Sequence, residues 1–204
     1  MGNENGGVNM ERRSYLGDGL KIEKRESGER VLHGYAAVFY RSDDPGTEYE
    51  LRQGLKERVA STAFSTAVGG PRDVKGMWNH TQLLGSRDAG TLRLFVDQRG
   101  LRYEIDLPNT QAGNDVATLV ERGDVRGSSF GFRAKRAPIS RGQSYDVREL
   151  QDVDLLDVGP VAEPAYSGTS VGMRSDDHEQ AEREYLTYQR NVHQIQMRKY
   201  LTHE

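Results

Sequence analysis

The chain has 204 residues, enough for one domain with a real core and too few for a second full one. Its 35% hydrophobic content and mean hydropathy of -0.78 imply polar ends around a smaller folded unit. A net charge of -3 from 28 basic and 31 acidic residues argues against nucleic acid or a membrane as partner, and the lack of cysteine excludes disulfides, thiolate metal sites and cysteine nucleophiles.

Residues 1–18 are polar, glycine-rich and aperiodic, and are expected to be a disordered lead without the apolar segment of a secretory signal. No stretch approaches the roughly 18 apolar residues that a spanning helix needs. Leu20 and Ile22 alternate with charges as a strand would, and Val31 to Tyr40 has the two-sided apolar pattern of a covered strand. Leu55, Val59, Ala63 and Ala67 recur at helical spacing, which predicts an amphipathic helix over 53–68 closed by Gly69-Gly70. Val74 to His80 reads as a strand with Trp78 and His80 on one face. Leu92 to Val96 and Leu101 to Leu107 alternate around a turn and predict a hairpin. A helix capped by Asn109 or Thr110 and ended by Gly123 follows. Phe130, Phe132 and Ala134 mark a strand, a hairpin turns near Arg141-Gly142, and Val153 to Val161 is long enough for a central strand. From Asp176 onward the composition becomes charged, and residues 177–201 lack glycine and proline. The chain therefore divides into a lead over 1–18, a domain over 19–173 and a charged, helical tail over 174–204.

Two adjacent hydroxyls in Gly127-Ser128-Ser129-Phe130-Gly131-Phe132 are the main chemical signal. A serine nucleophile needs a base to take its proton and a third group to hold that base. His80, in Met77-Trp78-Asn79-His80, is the best base on offer. Asp152, Asp154 and Asp157 all lie in or before one strand, and periodicity does not choose among them. The pattern also matches the nucleophile elbow of α/β hydrolases, but that needs an apolar strand before the serine and a helix after it. Here Glu121 to Arg126 is mostly charged and a strand follows, so the elbow is set aside. No pair of histidines has metal-ligand spacing beside an acidic partner, and His33 reads as structural.

The order Gly34-Tyr35-Ala36-Ala37-Val38-Phe39, Trp78-Asn79-His80, Gly127 to Phe132, then Leu155 to Tyr166 resembles the prohead (capsid maturation) serine proteases of tailed bacteriophages, a family remotely similar to herpesvirus assemblin. The similarity runs from about Leu32 to Tyr166. It selects Ser129, followed by an apolar residue, a glycine and an aromatic, as nucleophile, His80 as base, and Asp157, seven residues before Pro164, as the acid. Asp157 departs from the glutamate common in the family, and Gly159-Pro160 replaces the usual residues after it.

The resemblance implies an α+β domain on a mostly antiparallel, barrel-like, assemblin-like sheet with flanking helices. It also implies a serine endopeptidase without cofactor or metal, acting inside the immature capsid in the host cytoplasm. Its implied substrates and partners are the phage scaffold protein, the major capsid protein precursor and the protease itself, with homo-oligomerisation left open. Main-chain amides around a bend at 126–130 are expected to contribute to an oxyanion hole. The rival from another class is a non-enzymatic capsid-assembly or scaffold protein that keeps the fold and binds through its tail.

Overall fold

The structure, a computed structural model, describes residues 10–17, 19–162 and Thr187. Residues 1–9 and 18 of the lead expected over 1–18 and, Thr187 apart, the helical tail expected over 174–204 lie outside the described residues. In chain order the strands are β1 (Glu11–Leu16), β2 (Lys21–Lys24), β3 (Arg30–Val38), β4 (Glu48–Arg52), β5 (Leu55–Val59), β6 (Lys75–Trp78), β7 (Gln82–Ser86), β8 (Leu92–Val96), β9 (Gly100–Asp106), β10 (Gly127–Arg136), β11 (Ile139–Ser140), β12 (Asp146–Leu150) and β13 (Asp152–Val161). Among the described residues two α-helices interrupt them, α1 (Ser65–Val68) and α2 (Gln111–Arg122), besides a single 3-10 turn at Pro45–Thr47.

The strands form three sheets, ordered β1-β10-β13-β6-β7, β11-β12-β5-β4 and β2-β3-β9-β8. Most pairs are antiparallel, while β13 with β6 and β12 with β5 run parallel. The fold is mostly β with few helices, and among the described residues its sheets are not closed into a barrel. This corrects the expected barrel-like sheet: closure requires the outermost strands to pair, and β1 and β7 stay at opposite edges of the largest sheet.

The β8–β9 hairpin and α2 form where their patterns place them. Thr110 Oγ1 accepts the Gly113 N–H at the start of α2, and Gly123 at φ 82 ends it. β13 is central in its sheet, as its apolar run predicts. Phe130 and Phe132 of β10 stack with centroids 4.9 Å apart, and Phe64 meets Phe130 edge-on at 5.4 Å, so the aromatics of the serine motif lie in the main core.

Two expectations fail for one physical reason. The helix predicted over 53–68 is instead strand β5 followed, after a turn, by the four-residue α1. Apolar residues four apart fit a strand as well as a helix, and the inward alternation Leu55, Glu57, Val59 is masked because its middle member is charged. The lead predicted disordered through residue 18 contains β1, whose buried residues are Glu11 and Arg13. Neither segment carries an ordinary apolar stripe, because both turn charges inward.

Those charges neutralise one another. Arg13 Nε donates to Glu57 Oε1 at 2.6 Å and Arg13 Nη2 to Glu11 Oε2 at 2.7 Å, while Arg148 of β12 bonds Glu11 at 2.9 Å and also Glu57. All four side chains are sealed from water. Burial would raise the Glu11 pKa, but the charges and hydrogen bonds of Arg13 and Arg148 outweigh it and hold the carboxyl below its ordinary 4.5.

Removing one partner strands a buried charge. Arg148→Met should therefore cost about 3–5 kcal/mol in urea unfolding at neutral pH. Because Glu11 is lowered on folding, its contribution is present above the ordinary carboxyl value and is lost as pH falls through the folded value. The stability of the unaltered protein should hold above pH 4.5 and decline below it in an acid titration.

Candidate active site

Strand alternation separates the two serines of the motif. Residues 128 and 129 are consecutive in β10, so their side chains leave on opposite faces. Ser128 Oγ lies 2.8 Å from the hydroxyl of Tyr103 on β9, inside the core. Burial pushes the Tyr103 hydroxyl well above its ordinary pKa, and its bond with Ser128 pulls weakly the other way. Ser128 thus satisfies a buried phenol and has a structural partner.

Ser129 faces the other side, toward β13 and the β6–β7 turn. In the β10–β13 ladder Ser129 pairs with Gly159 and Gly131 with Asp157, which puts Ser129 and Asp157 on one face of neighbouring strands. Residue 131 must lack a side chain there. A Cβ at Gly131 would stand 2.5 Å from Asp157 Oδ2, so the carboxylate occupies the space that any larger residue would fill.

His80 reaches this face from a turn and not from the expected strand. β6 ends at Trp78, and Asn79 and His80 take φ 51 and 58, both left-handed, while the Thr81 N–H returns to the Trp78 carbonyl at 3.1 Å. Two successive left-handed residues are the signature of the tight hairpin turn whose twist matches its strands. Asparagine tolerates that conformation, and the turn is also pinned from outside. The Asn79 N–H donates to the Pro160 carbonyl at 3.1 Å, and Asn79 Oδ1 accepts the Ala162 N–H at 2.9 Å. Gly159 makes this docking possible, since a Cβ there would lie 1.9 Å from the Met77 carbonyl oxygen. The Gly159-Pro160 pair therefore seats the histidine turn against β13.

The three side chains form one line. His80 Nδ1 lies 2.5 Å from Asp157 Oδ1, and His80 Nε2 lies 2.7 Å from Ser129 Oγ. With the carboxylate ionised, Nδ1 carries a hydrogen that it donates to Asp157, which leaves Nε2 free to accept the serine proton. The other aspartates are engaged elsewhere. Asp152 accepts the Thr66 hydroxyl at 2.6 Å, and Asp154 pairs with Arg72 at 2.6 and 2.8 Å. His33 contacts Glu23 at 3.1 Å and Glu104 at 3.5 Å instead. Such a line can transfer a proton from a hydroxyl to an imidazole while that hydroxyl attacks an electrophilic carbon.

Two features carry no signal in the sequence. Ser129 Oγ also lies 2.9 Å from the main-chain carbonyl of Arg13 on β1, a second acceptor for its one hydrogen that any residue type at position 13 could supply. Gly131 and Gly159 look like ordinary strand glycines until their neighbours are known. The bend expected at 126–130 for an oxyanion hole is absent, because β10 is already a strand at Gly127.

The profile of a family described as caudovirus prohead serine protease matches residues 18–184. Among solved structures, the capsid assembly protease gp21 of bacteriophage T4 is similar, with 10% sequence identity and a TM-score of 0.46 over 76% of this chain and 97% of that one. No curated protein matches.

Gly131→Ala offers a test of the line without touching any of its three members. The added methyl displaces the Asp157 carboxylate and with it the His80 ring, and misplacement near 1 Å costs about 10²-fold in rate. Hydrolysis of a peptide substrate should fall by that order while circular dichroism shows the sheets intact.

Proposed function

The chain belongs to the caudovirus prohead serine protease family, and on that premise we propose that it is a serine endopeptidase of phage capsid maturation. Its substrates are the scaffold protein, the scaffolding segment of the capsid protein precursor, and the protease itself. It works inside the immature capsid in the host cytoplasm, with capsid and scaffold proteins as partners. A kinship in fold with the herpesvirus assemblins, implied by the resemblance to the prohead protease family, belongs to the same proposal.

In this mechanism Ser129 Oγ attacks the carbonyl carbon of the scissile peptide as His80 Nε2 takes its proton. The proton then passes to the leaving amine nitrogen as the C–N bond breaks, leaving an acyl group on Ser129. A water molecule, deprotonated by the same imidazole, releases the acid and restores the serine. Asp157 keeps the ring in the tautomer with hydrogen on Nδ1 and balances the charge that the imidazole gains. The observation that carries this assignment is His80 standing between Asp157 at 2.5 Å and Ser129 at 2.7 Å. A non-enzymatic scaffold protein has no need of that line.

The decisive experiment incubates the purified protein with its scaffold or capsid precursor and identifies fragments by mass spectrometry. Ser129→Ala should abolish new termini, and His80→Ala should do nearly the same. The double variant should be little worse than either, because residues acting as one unit are not additive. Ser128→Ala should retain most activity yet lose about 1–3 kcal/mol of stability, since it leaves the buried Tyr103 hydroxyl unpaired. Binding without any cleaved bond would sink the enzymatic assignment in favour of the scaffold protein. The reverse ranking of the two serines would move the nucleophile to Ser128.

A further inference from the structure

The proposed nucleophile is fully buried, with 0% of Ser129 exposed, so no peptide carbonyl reaches Oγ in this conformation. β1 runs antiparallel beside β10 with Ser14 directly opposite Ser129 and forms the outer edge of the five-stranded sheet. Its Arg13 carbonyl takes the Ser129 hydroxyl hydrogen at 2.9 Å. A serine has one hydrogen, so a hydroxyl donating to Arg13 is not donating to His80. Resting on the protease assignment above, we infer that β1 occupies, from within the chain, the strand position that an extended peptide substrate takes beside Ser129, and that the nucleophile is reached only when β1 leaves β10.

The chemistry of β1 suits an occupant that can depart. Its buried side chains are Glu11 and Arg13, and none of its residues belongs to the apolar core, so release withdraws no apolar core side chain. Release also removes one carboxylate and one guanidinium together. Glu57 and Arg148, already bonded to each other, stay behind as a matched pair. β1 further lies ahead of the family match, which begins at residue 18. Backbone addition of an extended peptide to a sheet edge is a general mode of peptide binding, and withdrawal of β1 opens such an edge along β10.

The test labels Ser129 in the full-length protein with a fluorophosphonate, which forms an Oγ–P bond and expels fluoride, with Ser129→Ala as the control for site. The double variant Glu11→Ala/Arg13→Ala removes both anchors and keeps the cluster neutral, and should label roughly tenfold faster than the unaltered chain. In the unaltered chain, hydrogen exchange should show the amides of residues 11–16 opening at least as fast as Ser129 is labelled. Labelling faster than β1 opens would overturn the inference on the unaltered chain alone, whether or not the variant folds. A folded variant that labels Ser129 no faster than the unaltered chain would overturn it too, while leaving the protease assignment standing. If Ser129 stays unlabelled in both chains although β1 opens, the nucleophile assignment fails and the inference falls with it.

Discussion

Two arginines and two glutamates, shut away from water, join the sheet that carries Ser129 to the smaller sheet beside it. Placing an ion in the interior costs several kcal/mol unless its partners are well arranged, so the cluster constrains more than it stabilises. Glu11 and Arg13 are two residues apart and share one face of β1, and only one register lets both meet Glu57 and Arg148. A slip of one residue would turn Arg12 and Ser14 inward against those charges. That register is also what sets Ser14 opposite Ser129 and the Arg13 carbonyl against its hydroxyl. The geometry at the serine thus depends on ion pairs formed by side chains on the other face of β1.

Backbone geometry fixes the remainder of the site. Alternation along β10 sends Ser128 to a phenol in the core and Ser129 to the imidazole, so neighbours of identical chemistry have unlike surroundings. Asp157 leans over a glycine, and His80 projects from a left-handed turn that is tied to the end of β13 by Asn79. None of these three positions relies on a flexible loop. An imidazole that must meet a carboxylate and a hydroxyl at once gains from such support, because its ring has little room to reorient.

How much of this was legible depended on where the inward-facing atoms were apolar. The β8–β9 hairpin, α2 with its Thr110 and Gly123 boundaries, and the central β13 all present ordinary hydrophobic periods, and they formed as read. β1 and β5 did not, because Glu11, Arg13 and Glu57 point inward and look like surface residues in one dimension. His80 belongs to its motif but not to the strand its alternation suggests, since Asn79 alone, without a glycine, is a weak local sign of two consecutive left-handed residues. Ser129 and Asp157 were chosen by similarity to a family, not by periodicity, which could not separate Asp157 from Asp152 and Asp154. Their partners Thr66 and Arg72 become visible only in three dimensions.

The three aligned side chains come from parts of the chain that are remote from one another. His80 is separated from Ser129 by 49 positions and from Asp157 by 77, and Ser129 from the Arg13 carbonyl by 116. Each pairing closes a long loop, whose entropic cost is met only after the intervening strands have found their neighbours. A nascent or half-folded chain therefore has a serine and a histidine but no proton relay between them. The contacts among Asp157, His80 and Ser129 therefore belong to the late stages of folding, after the sheet that carries them is in place.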